Sequence, residues 1–216
     1  MIDANTNLLN EVAEISQRIK SQEPPAMTPL QKQAAIVIAA IEKDIMDLVM
    51  EHMTVRMIFA SLFYFWITLE APLCGVSEKA LDNWSMPLPE AVDRIINVIK
   101  TTLKNLPDHS PTADMKKLGE KINTVKSLIP DSEIDRELLP DELIMQATIV
   151  NTRIHTTTSD FLKQSFHPEI VANVLFNYWI RSSTINSHVP ESYHQKIEHY
   201  FEDIGKAVRE YIPTMF

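Results

Sequence analysis

The sequence predicts an all-α fold, a helical bundle of about seven to nine helices around a very apolar central helix. Three observations carry that expectation. Glycine is scarce, with 3 in 216 residues, and Gly75, Gly119 and Gly205 stand singly, none in the Asn-Gly or Asp-Gly setting that hairpins favour. Apolar residues recur at intervals of three and four in one segment after another. The 13 prolines fall between or at the starts of those segments, where a residue with fixed φ and no N–H is tolerated.

Taken in order, Leu8, Leu9, Val12, Ile15 and Ile19 form the apolar stripe of an opening helix over 5–21. Pro24-Pro25 breaks it. Thr28-Pro29-Leu30-Gln31 then starts a second helix with an N-cap hydroxyl, proline at N1 and glutamine at N3. Its apolar pattern extends through Ala34–Ile41 to Met53 and covers most of the helix faces. Met57 to Leu69 follows as an uncharged run of 13 residues between Arg56 and Glu70. A bilayer span needs about 20 apolar residues, so this run is expected to be a helix wrapped by its neighbours and not an integral membrane span.

Ser77–Trp84 is expected to form a short helix, and 88–106 an amphipathic one with Leu88, Val92, Ile95, Ile96, Ile99, Leu103 and Leu106 on one face. Met115, Leu118, Ile122, Val125 and Ile129 make a heptad-like seam capped by Pro111 and Pro130, too short for a free coiled coil. The acidic segment 130–140 is a candidate joint between an N-terminal region, 1–129, and a C-terminal region, 141–216, expected to pack together as one unit. From Asp141 the helical pattern resumes, and the run Thr156-Thr157-Thr158 is expected to weaken it. His167-Pro168-Glu169 opens a further helix that fades near Ser182, and Pro190 begins a last one ending before Pro213.

Composition excludes several functions. No cluster of glycines is present to bring backbone N–H groups around a phosphate, which removes P-loop and dinucleotide turns. A net charge of −9 is the wrong sign for a phosphate-backbone binder, so no nucleic-acid partner is expected. Lys116, Lys117, Lys121 and Lys126 are expected to be a solvated face. Residues 1–60 hold only five basic residues and a Pro-Pro break, which argues against an N-terminal helix-turn-helix. One cysteine, Cys74, allows no internal disulfide and suits a reducing compartment. The opening Met1–Asn7 has neither a basic n-region nor an apolar h-region, so a cytoplasmic location is expected.

No chemistry-bearing constellation stands out. Glu191-x-x-His194 with Glu198 and Glu202 has the spacing of a carboxylate-bridged metal helix, yet no second Glu-x-x-His accompanies it, so no metal and no cofactor is expected. Cys74 follows a helix instead of starting one, where nothing would lower its pKa, and is read as an apolar filler. Glu42, Asp44, Asp47, Glu51 and Glu70 hint at buried or stripe-forming carboxylates. The chain is therefore read as a non-enzymatic interaction subunit or adaptor, cytoplasmic and acidic, of the kind found in larger bacterial assemblies such as a secretion apparatus. Its partner would be a protein that is basic or presents an apolar helix, met by Asp44, Asp47, Glu51, Phe63 and Trp66. One alternative is a small-molecule sensor or enzyme with an aromatic pocket at Trp84, Tyr178 and Trp179, joined by Trp66. The other is a peripheral membrane protein using residues 57–69.

Overall fold

The computed structural model describes residues 27–108, 138–185 and 188–216. The expected helices at 5–21 and 111–129, and most of the joint at 130–140, lie outside them. Within the described residues the fold is all-α, with no strand. The helices are α1 (Pro29–Met50), α2 (Val55–Leu73), α3 (Glu78–Asp82), α4 (Leu88–Asn105), α5 (Pro140–Lys163), α6 (Pro168–Ile185), α7 (His194–His199) and α8 (Phe201–Tyr211), with 3₁₀ turns at Glu191–Tyr193 and Ile212–Met215.

Helix α1 starts as its sequence dictates. Thr28 Oγ1 accepts from the Gln31 N–H at 3.2 Å and Gln31 Oε1 accepts from the Thr28 N–H at 2.9 Å, a closed capping box. It stops at Met50, short of the expected Met53. His52 takes φ 61°, the His52 N–H bonds to the Val49 carbonyl, and the Met53 N–H bonds to the Leu48 carbonyl. This pair of bonds is the Schellman termination that glycine usually provides. Helix α5 ends in the same way through Ser165 at φ 63°, and α2 through Gly75 at φ 85°.

Helix α2 packs on α1, α3, α4, α5 and α6, which explains its uncharged run. Phe59, Phe63 and Trp66 meet Trp179 of α6, with Trp66 and Trp179 stacked at 5.3 Å and Phe63 at 5.0 Å from Trp179. One apolar core continues from Val37 of α1 through α2 and α4 to Ile204, Val208 and Met215 at the C-terminal end. Burying each large side chain there stabilises the fold by roughly 1.5–3 kcal/mol before the entropy cost.

Three expectations are corrected. Pro72 lies inside the last turn of α2 and not between elements. The run Thr156–Thr158 does not interrupt α5, which continues to Lys163: Thr157 donates to Asp44 of α1, a tertiary contact that local propensity ignores, while the hydroxyls of Thr156 and Thr158 donate back to the carbonyls of Thr152 and Ile154 at 2.8 Å. The last helix is not continuous, since Tyr200, at φ −111° and ψ 29°, separates α7 from α8. No helix among the described residues is long and apolar enough to cross a membrane.

Candidate functional site

Three helical faces converge beside the C-terminal end of α2. Each follows the three- or four-residue spacing that places side chains one above another: Trp66, Glu70 and Cys74 from α2 and its cap, Glu169, Asn173 and Phe176 from α6, and Phe201, Gly205 and Arg209 from α8. All of these except Glu169 line a pocket of about 720 Å³. That volume falls in the range of small-molecule sites, roughly 300–1,000 Å³. The aromatic wall is continuous, with Trp66 to Phe176 at 4.8 Å and Phe176 to Phe201 at 5.4 Å.

The polar part of this pocket is organised by Glu70. Its side chain is only 2% exposed, and a buried carboxylate is costly unless paired. Arg209 Nε donates to Glu70 Oε1 at 2.6 Å, while Arg209 Nη2 donates to Asn173 Oδ1 at 2.7 Å and Nη1 lies 3.8 Å from Glu169. The guanidinium fork thus spans α2, α6 and α8. Glu70 Oε2 is buried and has no hydrogen-bond partner among the described residues. Burial first, and then the charge of Glu70, push the Cys74 thiol up to about 11, with Arg209 opposing. Cys74 is therefore held as the thiol at neutral pH.

The residues expected to meet a partner do not form one face. Phe63 and Trp66 are buried in the aromatic core, where they are spent on contacts within the chain. Asp44 accepts from Thr157, Asp47 pairs with Lys43 at 2.8 Å, and Glu51 accepts from Arg153 Nη2 at 2.9 and 3.1 Å. All three carboxylates are engaged within the chain instead of forming a free acidic stripe.

The expected aromatic pocket also disperses. Trp84 tilts against Phe216 at 5.1 Å, and Trp179 is wholly buried in the core. Tyr178 lines a second pocket of about 380 Å³ with Ala34, Ile38, Ile170 and Arg181. Only Trp66 reaches the larger pocket. Among the described residues no group of three or more metal-ligating side chains converges, and the side chains of Glu191, His194 and Glu198 lie outside the description.

Glu70 was visible in sequence as the charge that ends the apolar run, but Arg209 was not. It lies 139 residues away on a helix whose polar face offers no hint that one cation turns inward. The available signal was Gly205, one turn before Arg209 on the same face.

Comparison with known proteins finds no matching family model, no matching curated protein and no matching solved structure.

Proposed function

We propose that the chain is a non-enzymatic protein–protein interaction subunit that docks an apolar helix of a partner on exposed apolar side chains from the last turns of α1 and the first turns of α5. The observation that carries this reading is a set of large exposed apolar side chains: Met46 and Met50 from the last turns of α1, Leu139 at the N-cap of α5, and Leu143, Ile144 and Met145 from its first turns. Met50, Leu139 and Ile144 are 66%, 69% and 65% exposed. Near the start of α5, Gln146 accepts from Thr54, which follows α1, and further along α5 Arg153 donates to Glu51 at the end of α1. Flexible thioethers beside branched side chains suit a surface that repacks on a partner.

An apolar partner is favoured over a basic one because Asp44, Asp47 and Glu51 already hold intrachain donors. Residues 57–69 are poorly placed for a peripheral membrane contact, since Ile58, Phe59, Leu62, Phe63, Trp66 and Ile67 are buried. A reducing, cytoplasmic setting within a larger assembly belongs to the same proposal, supported by the lone Cys74.

The test combines light scattering with affinity recovery from native lysate, using the full chain and the triple variant Met50→Glu, Leu143→Glu, Ile144→Glu. A stoichiometric protein that accompanies the parent chain and is lost from the folded triple variant is the expected result. Recovery of an isolated monomer, or a partner indifferent to the three glutamates, overturns it.

A further inference from the structure

We propose that the pocket between α2, α6 and α8 is a binding site for a small organic amine carrying an apolar or aromatic body, anchored by Glu70. This site lies toward the opposite end of α2 from the docking surface. Thr54 and Glu70 are separated by roughly 24 Å at 1.5 Å per residue.

The first support is Glu70 Oε2. An ionised carboxylate only accepts hydrogen bonds, and this oxygen is buried with no donor among the described residues. Arg209, the natural donor, directs Nε to Oε1 and Nη2 to Asn173, and Nη1 lies toward Glu169. Glu70 lines the pocket, so a donor that enters and turns this side chain toward it satisfies what the described residues leave open.

The second support is the charge of the surroundings. Glu70, Glu202 and Glu210 line the pocket against Lys206 and Arg209, and Glu169 adds a further carboxylate beside Arg209. The excess is negative, so a cationic donor is preferred to an anion. Aromatic side chains complement that choice, because an ammonium group is attracted to ring faces and its hydrocarbon body packs against Phe176 and Phe201.

The third support is Gly205. Glycine inside a helix is unfavourable, and here neither backbone nor packing demands it, since a Cβ built on Gly205 meets no atom within 4 Å. The missing side chain leaves room on the wall of the pocket.

Titration calorimetry of the full chain with phenethylamine, 2-phenylethanol and 3-phenylpropionate tests the site, because the three share one body and differ in the head group. Phenethylamine is expected to bind at about tenfold or greater advantage over 3-phenylpropionate, the size of one charge-assisted hydrogen bond. Glu70→Gln is expected to remove that preference. Gly205→Leu, which enters open space and leaves Glu70 paired, is expected to block all three probes while thermal unfolding stays cooperative. Absence of phenethylamine binding at millimolar concentration overturns the proposal, as does equal affinity for the three probes or binding unchanged in Gly205→Leu.

Discussion

The side-chain oxygen of Gln146 accepts two hydrogen bonds from Thr54, one from the backbone N–H at 2.9 Å and one from the hydroxyl at 3.1 Å. Both residues are buried, so an α5 side chain caps the entrance to α2 in place of a local one, and Thr54 itself makes no side-chain cap bond. Gln146→Leu removes the acceptor and strands the Thr54 donors away from water. It is expected to lower stability by about 2 kcal/mol, the cost of an unsatisfied buried polar group. Urea unfolding with an unchanged slope and a lowered midpoint checks this.

Arg209 and Glu70 give a prediction in which the sign of the coupling matters more than the size of either loss. Arg209→Met leaves a buried carboxylate without its cation and is expected to cost about 3–5 kcal/mol. The double variant Glu70→Leu, Arg209→Met removes both charges and is expected to be more stable than Arg209→Met alone. A double-mutant cycle by chemical denaturation measures the difference, and additive losses would contradict the pairing.

The fold was legible where a local rule acts without competition. Thr28, Pro29 and Gln31 form one capping signal, and the bonds they predict are present. The face of α4 followed from spacing alone, with Val92, Ile95, Ile96, Ile99 and Leu103 all buried. The helix ends at His52 and Ser165 were not legible, because each adopts the left-handed conformation without the glycine or asparagine that usually marks it. Thr156–Thr158 misled because propensity ignores the contact that Thr157 makes with Asp44 across 113 residues. The pocket was hidden for a related reason. Trp84, Tyr178 and Trp179 share a chemistry but not a face, whereas Glu70, Asn173 and Arg209 are brought together only by tertiary packing.

Those left-handed positions and Gly205 make a matched test of backbone conformation. Ser165→Gly is expected to stabilise the chain by about 0.5–1 kcal/mol, because an L-residue at positive φ is strained and glycine is not. Phe166, which packs on Phe161 at 4.9 Å just beyond the turn, keeps its contact. Gly205→Ala is expected to stabilise by a similar ~0.5–1 kcal/mol for the opposite reason, helical backbone with space for a methyl group. Thermal unfolding of the two single variants should show both midpoints above the parent, and a fall in either would show that the local backbone is not as described.

Lys196 ties the C-terminal end of α4 to α7. Its Nζ donates to the carbonyls of Leu103 and Leu106 at 3.2 and 2.9 Å and lies 2.7 Å from Asp108 Oδ1. A cation at a helix C-terminus satisfies carbonyls that have no partner within the helix and opposes the partial negative charge there. Lys196→Met keeps the hydrocarbon stem and is expected to cost about 1–2 kcal/mol through those carbonyl contacts. Asp108 reports the same contact independently, because its hydrogen bond to Lys196, followed by the charge of Lys196, holds its carboxyl below the ordinary value of 3.8. A depressed folded pKa means that the unfolded chain binds the proton more tightly. The contribution of the pair is therefore present above the unfolded pKa and is lost as pH falls through the folded one. Titration of Asp108 by nuclear magnetic resonance should find its midpoint below 3.8 in the parent and close to that value in Lys196→Met. An unchanged midpoint in the variant would show that Lys196 does not hold Asp108 in solution.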